Sequence, residues 1–233
     1  MASTGSLSVA MNIFAAPSAA FEAIKEKPAP WLPLLLILVA YCVVSFLYLN
    51  GVDLPWLMDR QMQQAGAQLT EEQRAQAVEA ALRISPTAYG AIGAVTSCLG
   101  VVIIFALYAL YLLAVGAITK TGIKYGQWFG LTLWCALPVL LGLLATIVYL
   151  LTNDVRFVAQ EALNPLAFGN LLSIESEGAP TFQRVLLALD PTSIWALVLT
   201  CMGYAAFSKK SIVHAALVVL APILLIVLIT AIL

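Results

Sequence analysis

Long apolar runs alternate with shorter polar ones along this chain, and the runs have membrane-crossing length. Five stretches stand out, at residues 31–50, 88–119, 127–152, 191–207 and 212–233. A hydrocarbon core is crossed by about 20 apolar residues of helix, and all but the fourth stretch meet that length comfortably. The fourth is marginal unless residues 185–189 extend it upstream. Backbone groups in lipid must bond within their own segment, so helices are the expected spanning element. The alternating ten-residue segments of a β-barrel are not visible. The pattern predicts an all-α membrane protein, with five transmembrane helices in a polytopic bundle.

Ahead of the first span, the residues after Ser8 predict a short interfacial helix. Pro17 suits a first helical position, where its missing N–H costs nothing. Phe21 and Ile24 share one face, while Glu22, Lys25 and Glu26 lie towards another. Pro28, Pro30 and Pro33 then end that helix and turn the chain into the first span. This divides the chain into a tail and interfacial helix over residues 1–30 and a transmembrane domain over 31–233, with outer loops at about 51–87 and 153–190. In the first loop, Thr70-Glu71-Glu72-Gln73 is a capping-box pattern that opens a helix reaching about Arg83. In the second, Asn164-Pro165 and Gly178-Ala179-Pro180 mark turns. Asp190-Pro191 reads as an N-cap followed by proline at the first helical position of the fourth span.

Inside the spans, three features suggest shape. The second stretch would measure about 48 Å as a helix, so it tilts, protrudes or breaks. Its first half carries Gly90, Gly93, Ala94, Ser97, Cys98 and Gly100, small residues that let helix backbones approach closely. The third span holds Pro138 near its middle and the fifth holds Pro222. Each proline frees a carbonyl one turn earlier and kinks its helix.

Composition agrees with a bilayer environment: 62% of residues are hydrophobic and 10% charged, with mean hydropathy +0.98. The charges are sorted. All six lysines lie before the first span or between spans two and three, or four and five. All five arginines and ten of the twelve acids lie in the other two loops. Positive charge is retained on the cytoplasmic side, and the lysine loops are short. This predicts a multi-pass membrane protein with a cytoplasmic N-terminus and a C-terminus on the opposite, outer side. The net charge of −1 and the lack of a basic tail leave no basis for nucleic-acid binding. Met1–Ala10 has no basic n-region, so no cleavable signal peptide is expected.

Chemistry-bearing groups are scarce. The five stretches contain no Asp, Glu, Lys or Arg, which removes the usual markers of ion paths and proton relays. His214 is the sole histidine, and a metal site needs further ligands. Cys42, Cys98, Cys135 and Cys201 fall within spans, where they read as small packing residues. No His-Glu-x-x-His, Gly-x-Ser-x-Gly or phosphate-binding loop is present. No enzyme activity, cofactor or metal is expected.

Three blocks carry a family resemblance. Residues 13–24, followed by Lys27-Pro28 and Trp31-Leu32-Pro33-Leu34, form the first. Gly122-Ile123-Lys124-Tyr125-Gly126-Gln127 through Ala136-Leu137-Pro138 forms the second. Leu189-Asp190-Pro191 through Trp195 to Gly203 forms the third. In this order they resemble bacterial members of the Yip family (Ypt-interacting protein, Yip-one domain). The resemblance implies five spans, a cytoplasmic N-terminus, and structural roles for Pro17, Phe21, Pro28, Pro33, Pro138, Asp190, Trp195 and Gly203. Eukaryotic relatives engage Rab-type GTPases, a partner not expected for a bacterial chain.

The expected function is therefore a non-enzymatic, membrane-organising or scaffolding subunit embedded in the lipid bilayer, paired with itself or with another membrane protein. The alternative is a small-solute or ion permease or channel with a pathway near Pro138 and Pro222, lined by Thr132, Thr146, Thr200 or Tyr204.

Overall fold

The structure, a computed structural model, describes residues 5–64, 70–174 and 179–232; Gly178 of the second loop turn lies outside them. Two short helices, α1 (Ser6–Ala15) and α2 (Pro17–Glu26), precede the first span, α3 (Trp31–Gly51). The first long loop carries α4 (Leu54–Gln64) and α5 (Glu71–Leu82), and the second span is α6 (Pro86–Ile118). The third span is the pair α7 (Tyr125–Cys135) and α8 (Val139–Thr152). A 3₁₀ turn (Gln160–Ala162), α9 (Phe168–Leu171) and α10 (Thr181–Leu187) lie in the second long loop. The last spans are α11 (Pro191–Ser208) and α12 (Ile212–Ile232).

Among the described residues four helices are long and apolar enough to cross a membrane, and the α7–α8 pair, bent by 47°, is a fifth candidate when taken as one span. The expected second span is one unbroken helix of 33 residues, about 50 Å long, so it protrudes or tilts rather than breaking. The fourth span gains nothing from residues 185–189. Asp190 separates them from α11, and Val185, Leu186 and Leu187 belong to α10. The capping box at Thr70 forms, with Thr70 Oγ1 accepting from the Gln73 amide at 3.2 Å and Gln73 Oε1 from the Thr70 amide at 3.0 Å.

Exposure is inverted relative to a water-soluble bundle. Ile92, Val95, Leu99, Ile103 and Leu107 recur on one face of α6, each between 55 and 62% exposed. Contiguous apolar surface of that extent is not stable in water, whereas lipid solvates it. Lipid is as apolar as leucine, so the helices associate through close packing and hydrogen bonds rather than water removal. The small residues of α6 serve this purpose. Gly90 meets Asn50 and Phe46, and Gly93 meets Leu49. Ser45 donates to Ser97 Oγ at 2.8 Å, and the Cys98 thiol to the Leu38 carbonyl at 3.5 Å.

The most enclosed element is α7. Trp128, Leu131, Leu133, Trp134 and Cys135 are at most 1% exposed, because α1, α2, α3, α6 and α11 all pack on it. The N-terminal segment therefore differs from a single helix lying flat in the headgroups. It consists of two helices, broken at Ala16, and their apolar residues Val9, Ile13, Ala20, Phe21 and Ile24 join the core formed by α7, α11 and α12. The physical reason is competition for the same face: α7 offers close-packed protein contacts where the interface would offer only fluid lipid.

Candidate functional site

Three of the residues carrying the family pattern, Phe21, Pro28 and Gly203, meet at one feature, a latch that holds α2 against α7 and α11. Phe21 is 2% exposed, and its ring and Leu131 press on Gly203, where a Cβ would come within 3.1 and 2.5 Å of them. Glycine is required there by close approach, not by backbone conformation. Lower on the same face, Lys25 Nζ donates to the Phe207 carbonyl at 3.1 Å and lies 5.6 Å from the Phe207 ring. That carbonyl belongs to the last turn of α11, which has no intrahelical donor, so a cation there both caps the helix and opposes its dipole. Gln127 Nε2 donates to the Lys25 carbonyl at 2.7 Å, and Trp134 Nε1 to the Pro28 carbonyl at 2.8 Å. Phe14 of α1 meets Trp195 edge-on, with ring centroids 5.2 Å apart. Phe207 and Trp195 are separated along α11 by about 18 Å of helix, so the N-terminal pair follows α11 over much of its length. Pro17 starts α2 as expected, and Pro33 is buried within the first turn of α3.

At Pro138 the third span breaks and is restitched by short turns. The Trp134 carbonyl, which the proline cannot reach, accepts from the Leu137 amide at 3.3 Å, and the Ala136 carbonyl accepts from Val139 at 3.0 Å. Pro222 is handled differently. It leaves α12 continuous but removes the donor for the Val218 carbonyl. Tyr111 Oη donates to that carbonyl at 2.8 Å, and Tyr108 Oη to the neighbouring Val219 carbonyl at 3.1 Å. Two tyrosines one turn apart on α6 thus clasp the proline site from outside. Nothing in the local sequence of α12 signals this, since the tyrosines lie more than a hundred residues away. Tyr111→Phe is expected to destabilise the fold by about 1–2 kcal/mol, the cost of an unsatisfied carbonyl in an apolar setting. In Pro222→Ala, where the helix supplies its own donor, the same change should cost almost nothing. Thermal unfolding of the four proteins in detergent measures this coupling.

The alternative pathway residues are buried, and the three threonines among them are occupied with their own helices. Thr132, Thr146 and Thr200 are 3, 4 and 7% exposed. Their hydroxyls donate to the carbonyls of Phe129, Gly142 and Ala196 at 3.0, 3.0 and 2.8 Å. Tyr204 is fully buried, stacked on Trp128 with centroids 5.3 Å apart and beside His214 at 6.0 Å. These groups line packed helix contacts rather than an aqueous passage.

At the arginine end, the loops fold over the bundle. Asp190, 6% exposed, caps α11 as the sequence implies. Its Oδ1 accepts from the Thr192 and Ser193 amides at 2.7 and 2.9 Å and from the Thr192 hydroxyl, while Oδ2 accepts from Asn164 Nδ2 at 2.8 Å. The carboxylate therefore joins the second loop to the fourth span. Asp53 caps the start of α4 by accepting from the Trp56 amide at 3.0 Å, and Asp154 accepts from the Arg156 amide at 3.1 Å. Each aspartate is engaged in local structure. Arg60 and Glu161 pair at 2.8 Å across the two long loops, with Arg60 also 5.7 Å from the Trp56 ring. They border a cavity of about 840 Å³ that Trp56, Tyr149 and Phe157 also line. Sequence reasoning did not find this pair, because its members are a hundred residues apart in loops of mixed charge. Among the described residues no group of three or more His, Cys, Asp or Glu is placed to hold a metal ion.

Apolar exposed spans, charges confined to their ends and an interior closed by helix contacts together define a polytopic all-helical membrane protein. The profile of the Yip1 domain matches residues 11–233, and the chain belongs to that family. It is similar to "Membrane protein YknW" of Bacillus subtilis (strain 168), at 31% identity over 208 residues, covering 86% of this chain and 80% of the relative. The resemblance read from the three sequence blocks is borne out. No solved structure matches the chain. Neither the family description nor the relative's name carries an enzymatic or transport activity.

Proposed function

We propose that the protein is a non-enzymatic scaffold of a bacterial inner membrane that organises membrane components through its helical surfaces. The observation that supports this best is the internal engagement of Thr132, Thr146 and Thr200, whose hydroxyls are turned to their own helices within a packed interior. An interior built this way offers solutes no path, and recognition falls to the outside of the bundle. The lysine end faces the cytoplasm and the arginine end the periplasm, in keeping with the distribution of basic residues between the loops. The partner is a second copy or another membrane protein, not a nucleic acid or a Rab-type GTPase.

Purified protein in proteoliposomes is expected to pass ions and small solutes no faster than empty vesicles, and to cross-link to itself or to a co-purifying membrane protein. Flux above empty vesicles that Thr132→Leu abolishes would replace this reading with the permease.

A further inference from the structure

A second cavity, of about 410 Å³, lies in the flank of the bundle between α3 and α6, towards the arginine end. Its volume is in the range of about 300–1,000 Å³ typical of small-ligand sites. The lining is graded. Val44, Leu49 and Ile92 form the wall, whereas Gln61 of α4, Gln160 of the 3₁₀ turn and Tyr89 near the start of α6 stand where the loops roof it. None of these three side chains makes a hydrogen bond within the described protein (Gln61 and Gln160 are exposed, Tyr89 half-buried), while the other polar groups of the lining are engaged. Ser45 donates to Ser97, Thr96 to the Ile92 carbonyl at 2.9 Å, and Tyr48 to the Val158 carbonyl at 3.0 Å. The groove opens on the lipid-facing side, where Ile92 is 55% exposed and Thr96 is also exposed. No lining residue is charged.

We propose that this groove holds a glycerophospholipid of the leaflet at the arginine end. One acyl chain lies along Val44, Leu49 and Ile92, and the ester and glycerol oxygens sit under Gln61, Gln160 and Tyr89. The grading matches an amphiphile entering from lipid with its polar part towards the loops. Two amides and a phenol donate to ester carbonyls, and an uncharged lining neither repels nor selects the headgroup charge. A water-soluble ligand would make no use of the apolar wall, and a purely apolar one no use of the three polar groups at the loop end. The site is independent of whether the chain acts as a scaffold, and of which side of the membrane the arginine end faces.

The test uses full-length protein in vesicles of phosphatidylethanolamine and phosphatidylglycerol, doped with a phospholipid carrying a photoreactive group on its acyl chain. Adducts are mapped by mass spectrometry after irradiation. Labelling of Val44 and Ile92 is expected to exceed that of Leu217 and Leu224, lipid-facing residues of α12, by about tenfold, the ratio for 1.4 kcal/mol of preference. Thr96→Phe, at the exposed rim, should reduce labelling of Val44 to the level of Leu217 while leaving the unfolding temperature unchanged. If that variant fails to fold, the double change Gln61→Leu and Gln160→Leu should release the lipid from the wild-type groove wall, with the same loss of preference. Equal labelling of groove and α12 means annular lipid only and overturns the proposal. Exclusion of the probe by a co-purifying protein helix overturns it as well, in favour of a different occupant.

Discussion

Gly130→Ala is expected to destabilise the bundle by about 2–5 kcal/mol, combining overpacking with the loss of a buried hydrogen bond. A Cβ at this position would lie 2.6 Å from Pro28 Cβ, 3.1 Å from the Pro28 carbonyl oxygen and 3.2 Å from Pro28 Cα. These atoms are a proline ring and backbone, which have no rotamer to escape into. Pro28 must therefore move as a unit, and its carbonyl leaves Trp134 Nε1, whose indole is 1% exposed and has no water to turn to. Displacing Pro28 also pulls on Lys25, three residues earlier, which both caps α11 and accepts from Gln127. The latch should loosen as a whole. Gly100→Ala is the control: it lies in α6 with nothing within 4 Å of its Cβ position, so it should be neutral or slightly stabilising through helix propensity. Denaturation by SDS in mixed micelles compares the two. Equal stability of Gly130→Ala and wild type would show that Pro28 does not anchor α2.

For Asp190→Ala the expected loss is about 2–4 kcal/mol, larger than a surface N-cap substitution because the donors left behind are buried. Removing the carboxylate strands the Thr192 and Ser193 amides at the start of α11 and releases Asn164, one of the residues that tie the second loop to the bundle. Asn164 Oδ1 already accepts from the Leu166 amide at 3.0 Å, so the side chain cannot turn to a new partner without breaking its own turn. Asp190→Asn should retain most of the stability, since an amide oxygen can still accept from the helix amides. Its weakness is the Asn164 contact, where two amide groups now face each other. Limited proteolysis of the second loop separates the effects: Asp190→Ala should expose it to cleavage much faster than Asp190→Asn. Identical digestion of the two variants would mean that the link to Asn164, which both lose, and not the cap, holds the second loop.

These two positions show how unevenly the sequence speaks. The pairing Asp190-Pro191 announces a helix start through local rules of capping and proline geometry, and the structure places the cap there. Its link to Asn164 is invisible, because a side-chain contact between a loop turn and a helix start has no periodicity to reveal it. Gly203 and Gly130 are both small residues in apolar runs. Both are held to glycine by what packs on them, Leu131 of α7 and Phe21 of α2 on Gly203, and Pro28, just after α2, on Gly130. Pro138 and Pro222 look alike in sequence, each a proline inside a span. Only the fold separates them: α7 and α8 bend by 47° at the first, while the second is tolerated within α12 because Tyr108 and Tyr111 supply hydrogen bonds from α6.

The sequence by itself determined that the chain is a membrane protein built of helices, and which stretches are long and apolar enough to cross. Both follow from short-range physics: lipid demands continuous apolar helix, and charges cannot leave the ends. Tertiary structure alone decided that the N-terminal helices join the core, that α7 rather than a longer span is its centre, and that the potential pathway residues are closed. Amphipathicity shows only that a face seeks an apolar neighbour. In a membrane, lipid and protein are equally apolar neighbours, and the choice between them rests on shape and hydrogen bonds, which exist only once the helices are side by side.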